Sequence, residues 1–525
     1  MTIESLIKDV AIIGAGPSGI AAVYELTHTL QDGTSIFGVK DISPYKDQLA
    51  FKTVVAFERN SSVGGIWGKA VAEKAIDPSL PRLESLAEDI DYSKPENIYL
   101  KSKIPENLND SNDYQNPVLI KRKINDTSDK YQWSGSGIYK GLFTNVSKKY
   151  MSYSFDEYDL NSIKNRPLKE LLAAGEVGDY LEESVKKNNL GEYIKLNSNV
   201  EYTEKIENKW HVTIQERIFD AENGTVIEKW YKQKFDGLII ANGKTIPYYP
   251  KIPSFKQFIE KNPNVVIQHS KSIYDPEILV NQKKLLFIGG NVSAVDLVQY
   301  CFPRPLDPPT IFVSKKQEGD KKFWIEKCLN SGGIVNKTVI KRFLPDINGV
   351  EFEDGSIETD FDYIVFATGY HVYYPFLETK NYLKKYPRAL DFFLFTFSVD
   401  DPTLTLVGNT YAAFFFNRNE AIATAIAGVW SGYTKVASRE EEDKWFEEVK
   451  RRQTQVLGLL YGAANIKEQY IDVLWNYAPK GRPNPLAGIR ESHVEDSANS
   501  ANNIEHLFFA IKNGELTPQN VFKEI

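Results

Sequence analysis

Two stretches of the chain share one pattern of apolar and polar positions. The first, residues 10–26, has the apolar run VAII, the turn GAGPSG and then IAAVYEL, with apolar residues at helical spacing. The second, residues 285–299, has the same order in LLFIGGNVSAVDLVQ. Short apolar runs before a turn predict buried strands, and the spacing after the turn predicts a helix. Both stretches are therefore predicted to be strand–turn–helix units of an α/β protein.

The first turn carries three glycines whose spacing suits a dinucleotide. Gly14 permits the tight turn, Gly16 lets the backbone approach a pyrophosphate, and Gly19 lets the helix pack closely on the strand. The N-terminus of the helix would direct N–H donors at the phosphates. A glycine-rich turn alone also occurs in other α/β proteins, so this motif needs further support.

An acidic residue at the end of the next apolar strand provides some of that support. The strand Val54–Phe57 is followed by Glu58, where a carboxylate would accept hydrogen bonds from the hydroxyls of an adenosine ribose. Glu58 lies 39 residues past Gly19, whereas the usual separation is about 20. The polar stretch 31–48 accounts for the excess and is predicted to be a surface insertion.

The second turn lacks the third glycine, and Asn291 stands where close approach of the backbone is usual. The following strand ends at Ser314, Lys315 and Lys316, with Ser314 lying 25 residues beyond Gly289. A hydroxyl and two cations at this position would suit the 2′-phosphate of NADPH, whereas an acidic residue would suit NADH. The alternative is that both lysines are solvated on a surface turn.

The rest of the chain predicts further strands and helices. Residues 70–130 are polar with little periodicity and are expected to form a long excursion or a partly ordered loop that carries no chemistry. A helix is predicted from 168 to 191, and an antiparallel hairpin that leads into a buried strand from 199 to 240. The pattern of residues 401–432 predicts a strand and an alanine-rich helix, and the chain from 439 onward is predicted to be mainly helical and charged.

Composition narrows the possible functions. The chain has 525 residues and a net charge of −7, so it lacks the positive field that nucleic acid would require. Cys301 and Cys328 are the only cysteines and the six histidines do not cluster, which leaves disulfide frameworks, zinc sites and dithiol chemistry without ligands. No apolar stretch approaches the roughly 20 residues of a membrane span. With charges early in MTIESLIKDV, the expectation is a soluble, cytoplasmic protein.

Five motifs, in order, resemble those of flavin-containing monooxygenases of the fungal, N,N-dimethylaniline monooxygenase-like kind, within the class B flavoprotein monooxygenases. They are GAGPSG with ERNSSVGGIW, then GLFTNVSK, IIANGKTIPYYPKIP, GGNVSAVDL and FATGYHVYYPFL. The resemblance covers most of the chain outside residues 31–50 and 70–130. One departure lies in residues 262–277, where the identifying sequence of the family should be and only His269 is retained cleanly. His269 is expected to be a packing residue.

The resemblance implies an α/β fold with two dinucleotide-binding, Rossmann-like domains. An NADPH-binding domain, residues 245–365, would be inserted into a discontinuous FAD-binding domain formed by residues 1–244 and 366–525, with a helical C-terminus. In this family NADPH reduces FAD, and the reduced flavin captures dioxygen as a hydroperoxide. The hydroperoxide then oxygenates a soft nucleophile, sulfur or nitrogen, of a small molecule. The implied cofactors are therefore FAD and NADPH, and the implied partners are a small-molecule substrate and dioxygen.

Asn145 is the catalytic residue that the resemblance implies, because its amide can donate and accept hydrogen bonds near the flavin without titrating. Ser293 is expected to donate to an NADPH phosphate, and Trp67 to lie near the flavin ring. The motifs and the resemblance together give these expected cofactor-binding residues: Gly14, Gly16, Pro17, Ser18, Gly19, Glu58, Gly65, Ile66, Trp67, Thr144, Asn145, Gly289, Asn291, Ser293, Ala294, Lys315, Lys316, Thr368 and Gly369. No metal site is expected.

Other functions stay open at this point. A Baeyer–Villiger monooxygenase would oxygenate ketones, and an uncoupled NADPH oxidase would release hydrogen peroxide. A non-catalytic protein would hold FAD without consuming NADPH. The absence of a C-x-x-C pair opposes a disulfide reductase of similar architecture. The sequence is compatible with a homo-oligomer and does not decide the oligomeric state.

Overall fold

The fold is built from parallel and antiparallel sheets that are connected by helices and long loops. The computed structural model describes residues 7–69, 91–124, 132–158, 171–316, 323–377, 392–409, 412–455, 462–487 and 492–516. The strands are β1 Asp9–Ile13, β2 Thr53–Phe57, β3 Val118–Lys123, β4 Ile194–Lys195, β5 Ser198–Ile206, β6 Lys209–Asp220, β7 Thr225–Phe235, β8 Gly237–Ile240, β9 Val266–His269, β10 Leu285–Ile288, β11 Ile311–Ser314, β12 Ile334–Lys337, β13 Ile340–Leu344, β14 Gly349–Phe352, β15 Ile357–Thr359, β16 Tyr363–Phe366, β17 Phe392–Phe393, β18 Phe397–Ser398 and β19 Leu404–Leu406.

The α-helices are α1 Pro17–Thr27, α2 Pro95–Ile98, α3 Ala174–Lys187, α4 Phe255–Lys261, α5 Val292–Gln299, α6 Trp324–Leu329, α7 Phe415–Trp430, α8 Arg439–Gln455, α9 Asp472–Trp475 and α10 Ser492–Lys512. Short 3₁₀ turns lie at Ser43–Gln48, Gly65–Trp67, Lys148–Tyr150, Leu190–Tyr193, Ser270–Ser272, Pro276–Leu279 and Pro345–Ile347, and a π turn at Lys467–Ile471. None of the helices described combines the length and apolarity that a membrane crossing requires.

The first sheet has the strand order β17-β18-β19-β8-β1-β2-β4, with β1 parallel to both of its neighbours. Ile13 pairs with Phe57 on one side and with Ile240 on the other. Because these three strands end together, the residues that follow them meet at one edge of the sheet. This edge carries the first glycine turn.

Helices α1 and α7 pack together beside this sheet, and almost every residue of both is buried. Arg482, from the loop before α10, connects them because its guanidinium donates to Glu25 of α1 at 2.7 Å and to Glu420 of α7 at 2.6 Å. All three side chains are 1% exposed or less. Such a buried charge cluster is sustained only when every charged group has partners.

The second sheet has the order β12-β11-β10-β16-β9 and is parallel throughout. Ile288 pairs with Ser314 and with Phe366, so the second glycine turn lies at the carboxyl edge of this sheet. Both strand–turn–helix predictions are confirmed. Helix α10 packs against α5 and α6 and places Leu507 and Phe508 in the core of this sheet. Helix α10 therefore packs beside the second sheet, although it lies in the C-terminal part of the chain.

Residues 70–130 contribute more structure than the sequence analysis expected. Within the described part of this stretch, β3 pairs with β7 and completes an antiparallel sheet of order β3-β7-β6-β5. The side chains of Tyr92 and Ile98 are buried in the same core as Tyr249. The sequence predicts a long excursion or partly ordered loop here and does not show this strand or these buried side chains, because their burial depends on distant parts of the chain. The predicted hairpin at 199–240 is confirmed as β5, β6 and β7.

Candidate active site

The first glycine turn begins where β1 ends, with Gly14 at φ +101°. The N–H of Gly14 donates to the carbonyl of Phe57 at 2.8 Å, which fixes the turn to the neighbouring strand. A Cβ on Gly19 would lie 1.9 Å from the Gly14 carbonyl oxygen. Only glycine therefore allows α1 to approach the turn this closely, as the sequence analysis predicted.

Glu58 lies beside this turn, and its carboxylate is almost fully buried, at 4% exposure. Oε2 accepts a hydrogen bond from the Ala15 N–H at 2.9 Å, and Oε1 accepts from the backbone and the side chain of Asn60 at 2.9 and 2.8 Å. A carboxylate offers about four acceptor positions, so a fourth donor can still be accommodated. Glu58 thus stabilises the backbone of the glycine turn, and it also lines the cavity described next.

A cavity of about 400 Å³ extends from the glycine turn along the edge of the first sheet. Of the expected site residues, its wall contains Gly14, Gly16, Pro17, Ser18, Glu58, Gly65, Ile66 and Trp67. Ser18 is held there by Asn419, whose amide donates to its Oγ at 3.0 Å. Gly19 is buried inside α1 and shapes the turn without lining the cavity. We call this the first cavity.

The segment 64–67 closes one end of the first cavity. A Cβ on Gly65 would lie 3.0 Å from the Cα of Gly16, and Gly65 itself has φ +59°. The two glycines therefore let this segment pack directly on the turn. Ile66 is 41% exposed. Ile66 and Trp67 also line a second cavity.

The second cavity, of about 310 Å³, lies between this segment and α5. Asn145, Ser293, Asp296 and Tyr370 contribute polar atoms to a wall that is otherwise mainly apolar, and Thr144 also borders it. Ile66, Trp67 and Phe415 belong to the walls of both cavities. The two spaces are thus neighbours separated by the same three side chains.

Thr144 holds the loop that presents Asn145. The Thr144 hydroxyl donates to the Val146 carbonyl at 2.9 Å and accepts from the Leu172 N–H at 3.0 Å. The backbone N–H of Thr144 donates to the carbonyl of Leu172 at 2.8 Å. Thr144 is buried by these contacts, whereas Asn145 is exposed toward the second cavity. The geometry gives Thr144 a positioning role and leaves the amide of Asn145 accessible.

The second glycine turn resembles the first in its backbone. Gly289 has φ +109°, and its N–H donates to the Ser314 carbonyl at 2.8 Å. Asn291 caps α5, since its Oδ1 accepts from the Val292 N–H at 2.8 Å. Ala294 is buried in α5, and Ser293 lines the second cavity. By the spacing of the first turn, Asn291 thus stands at the second glycine position and begins the helix, and Ala294 stands at the third.

The strand end after β11 differs from the expectation. The Ser314 hydroxyl is buried and donates to the Thr338 carbonyl at 2.9 Å. The Lys315 ammonium lies 2.6 Å from Glu326, and these side chains are 7% and 6% exposed. Both groups have partners inside the protein, which weighs against the predicted contact of Ser314 and Lys315 with a 2′-phosphate. Lys316 is exposed and stays a candidate for the 2′-phosphate.

Thr368 and Gly369 line neither cavity within the described residues. The Thr368 hydroxyl donates to the Tyr248 carbonyl, and the Gly369 carbonyl accepts from Nε2 of His269 at 3.1 Å. His269 is fully buried, which lowers its pKa to about 3, and its Nδ1 accepts from the Lys271 N–H at 3.1 Å. The packing role predicted for His269 is confirmed, and these contacts hold the connection between the two sheets together.

Comparison with known proteins shows which proteins this chain is similar to. A family model described as flavin-binding monooxygenase-like matches residues 312–480. The flavin-containing monooxygenase iboF of Amanita muscaria is 24% identical over 470 residues, covering 81% of this chain and 79% of that protein. The trimethylamine monooxygenase of a Pelagibacter species is 24% identical, covering 83% of this chain and 78% of its own length. The solved structure of the S-allyl-L-cysteine S-oxygenase of Allium sativum superposes with a TM-score of 0.62 at 21% identity, covering 99% of this chain and 100% of that one.

The chain is similar to flavin-containing monooxygenases over most of its length, as the sequence analysis expected. It is accordingly an FAD-dependent monooxygenase, with the two Rossmann-like units that the resemblance implied. FAD and NADPH are the cofactors of this family, as the sequence analysis expected.

The first cavity fits a large polar cofactor. The Oδ1 atom of Asn242, in the cavity wall, is buried and has no hydrogen-bond partner among the described residues. The side-chain amide of Asn409 is 2% exposed and also has no hydrogen-bond partner among the described residues. Asn409 follows Gly408, which lies in the cavity wall. Buried polar atoms normally have partners, so the amide of Asn242, which lines the cavity, points to a ligand there.

Several wall residues were not singled out by the sequence analysis. Asn242 and Arg418 line the first cavity, and Asp296 lines the second. Asn242 follows a predicted buried strand, in the place where ligand-binding residues of α/β sheets concentrate, so its position offered a signal. Arg418 and Asp296 lie within predicted helices and carried no such signal.

Proposed function

We propose that the protein is an NADPH-dependent FAD monooxygenase that transfers one oxygen atom from dioxygen to sulfur or nitrogen of a small molecule. The observation that carries this proposal is the wall of Ile66, Trp67 and Phe415 that the two cavities share. The first cavity has the glycine turn and the acidic residue, Glu58, that are typical of a dinucleotide site. The other has an amide and a helix N-terminus in apolar surroundings.

FAD is assigned to the first cavity. The glycine turn would face its pyrophosphate, Glu58 would accept from ribose hydroxyls, and Asn242 and Arg418 offer further polar contacts. When bound, FAD carries electrons from NADPH to dioxygen and delivers oxygen to the substrate. The protein supplies the positioning and the polar surroundings of that chemistry.

The second cavity is assigned to the substrate and the reacting end of NADPH. Ser293, in the first turn of α5, would donate to a phosphate, with the helix N-terminus adding to its attraction. Asn145 offers an N–H donor and a carbonyl acceptor whose state does not change with pH. The apolar walls exclude water and strengthen each of these hydrogen bonds.

We also propose the division of the chain into an FAD-binding part, residues 1–244 and 366–487, and an NADPH-binding part, residues 245–365. The participation of β17, β18 and β19 in the first sheet supports the discontinuous FAD-binding part. The packing of α10 on α5 and α6 supports moving residues 492–512 to the NADPH-binding part. Separate limited proteolysis with and without each cofactor would test these boundaries.

The names of the relatives support sulfur or nitrogen as the oxygenated atom. One is a trimethylamine monooxygenase, and a solved structure with the same fold is an S-allyl-L-cysteine S-oxygenase. The testing experiment supplies NADPH and oxygen with a thioether, a tertiary amine or a cyclic ketone, and measures NADPH consumption, oxygenated product and hydrogen peroxide. Product from the thioether or the amine supports the proposal.

The alternatives predict other results in the same experiment. Product from the ketone alone favours a Baeyer–Villiger enzyme, and hydrogen peroxide equal to the NADPH consumed favours an oxidase. Bound FAD without NADPH consumption favours a non-catalytic protein. Each of these outcomes contradicts the proposal.

A further inference from the structure

Asp296 is the one acidic residue among the described residues that line the second cavity. It lies in α5, three residues after Ser293, and part of its side chain is accessible from the cavity. The hydroxyl of Tyr139, another wall residue, donates a hydrogen bond to its carboxylate. The candidate catalytic amide of Asn145 borders the same space.

No lysine or arginine of the described chain forms an ion pair with Asp296, and the titratable groups that face it are Tyr139, Tyr300 and Cys328. Tyr300 directs its hydroxyl elsewhere, to the Gly141 carbonyl at 2.7 Å. Burial raises the pKa of Asp296 to about 7, and the hydrogen bond from Tyr139 partly offsets this effect. A carboxylate that lacks a cation in an apolar cavity is costly, and a cationic ligand or a proton would relieve that cost.

This feature extends the proposed function, on which the following inference rests. We propose that Asp296 accepts the N–H proton of a protonated amine substrate in the second cavity and so selects amines for oxygenation. The proton moves from nitrogen to a carboxylate oxygen, and the electron pair of the broken N–H bond stays on nitrogen. The neutral amine then has the lone pair that attacks oxygen, and Asp296 returns its proton to water after the product leaves.

The chemistry of amines requires such a step. An alkylammonium ion resembles the lysine side chain, whose pKa is about 10.4, so an amine arrives at neutral pH almost entirely protonated and without a lone pair. Inside an apolar cavity, the neutral pair of amine and carboxylic acid is favoured relative to the ion pair more strongly than in water. A thioether carries no such proton and does not need the carboxylate.

The test compares a tertiary amine with a thioether of similar size, in the wild-type holoenzyme and in Asp296→Asn, between pH 6 and 9. For the wild type, kcat/KM for the amine should rise as pH increases through about 7, because Asp296 must be ionised to accept a proton. In Asp296→Asn, the ratio of kcat/KM for the amine to that for the thioether should fall by about tenfold or more at neutral pH. The rise should also move toward the pKa of the amine itself.

Tyr139→Phe provides a second, independent variant. It removes the hydrogen bond that lowers the pKa of Asp296, so the rise in the amine profile should move to higher pH. Tyr300→Phe is the matched control, since the Tyr300 hydroxyl bonds to a backbone carbonyl and not to Asp296. FAD content and unfolding temperature are measured for each variant.

The outcomes separate this inference from the proposed function. If the wild type oxygenates thioethers but the amine-to-thioether ratio is the same in Asp296→Asn, the inference is overturned and the proposed function stands. An equal loss for both substrates, with an unmoved profile in Tyr139→Phe, makes Asp296 a structural residue and also overturns the inference. If the wild type oxygenates neither substrate, both fail.

Discussion

The carboxylate of Glu58 accepts a hydrogen bond of 2.9 Å from the backbone N–H of Ala15, 43 residues earlier in the chain. This contact joins the end of β2 to the glycine turn that follows β1. From the sequence, Glu58 is predicted only to bind a ligand. Its carboxylate also stabilises the glycine turn. Loss of its charge affects both the shape of the turn and the cofactor expected beside it.

Glu58→Gln should therefore lower the FAD content of the purified protein and its stability together. The amide group places a donor against either the Ala15 N–H or the Asn60 donors, and an unsatisfied buried group costs about 1–3 kcal/mol. Flavin absorbance per protein and urea unfolding measure the two effects. Glu222→Gln, in an exposed turn, is the control. Equal FAD content in both variants would contradict the role assigned to Glu58.

Asn145→Ala should retain FAD but divert electrons from the product to hydrogen peroxide. Its amide is the accessible hydrogen-bonding group next to the wall shared by the cavities, and loss of about 1.4 kcal/mol of stabilisation is a tenfold change in rate. The measurement is the ratio of oxygenated product to NADPH consumed. Asn223→Ala, in a surface turn, serves for comparison. An unchanged ratio in Asn145→Ala would remove this residue from the mechanism.

Lys315 and Lys316 should respond differently to replacement by alanine. Lys316→Ala should raise KM for NADPH about tenfold while changing KM for NADH little, because a charged hydrogen bond contributes about 1.5–3 kcal/mol. Lys283→Ala, at the amino end of β10, is the control for the loss of one positive charge elsewhere on the protein. If Lys316→Ala affects the two nucleotides equally, its assignment to the 2′-phosphate fails.

Lys315→Ala leaves the carboxylate of Glu326 buried without its ion-pair partner. We therefore expect it to lower the free energy of unfolding by about 3–5 kcal/mol. Chemical unfolding checks this value against Lys283→Ala, which removes an exposed lysine. A stability close to that of the control would show that Lys315 is not needed inside the fold.

His269 should make the protein sensitive to acid. Its pKa is about 3 in the folded state and 6.5 in an unfolded chain, so the unfolded state binds more protons between these values. Stability is therefore lost as pH falls below about 6.5, by up to about 1.4 kcal/mol per pH unit. His269→Gln should flatten this dependence, whereas His506→Gln, at an exposed position of α10, should not. The measurement is the free energy of unfolding between pH 7 and pH 4. Equal slopes of this free energy against pH in the two variants would contradict the role assigned to His269.

The parts of the fold that depend on local patterns were predicted from the sequence. The strand–turn–helix units at Gly14 and Gly289 combine a short apolar run with glycines whose conformation few other residues adopt. Strand β3 was missed because only alternate side chains are partly buried and its partner β7 lies about a hundred residues later. The position of α10 was missed for a similar reason, since its pattern indicates a helix but not the surface on which it packs.

In the site, too, only the features that depend on local sequence patterns could be predicted. Glycine turns, Glu58 and the Thr144–Asn145 pair are recognisable from neighbouring residues and from the resemblance. The ion pair of Lys315 with Glu326 and the placement of Asp296 beside Tyr139 result from packing between separate elements. A charged residue within a polar or amphipathic segment gives no sign in the sequence that it will be buried.

In the proposed function, electrons from NADPH and one atom of dioxygen reach a sulfur or nitrogen nucleophile through this enzyme. The most direct measurement is turnover of the FAD-loaded protein with NADPH under ¹⁸O₂, with a thioether and a tertiary amine as substrates. We expect the product to gain one ¹⁸O atom for each NADPH consumed, with little hydrogen peroxide. Unlabelled substrate with all electrons recovered as hydrogen peroxide, or no NADPH consumption at all, would contradict it.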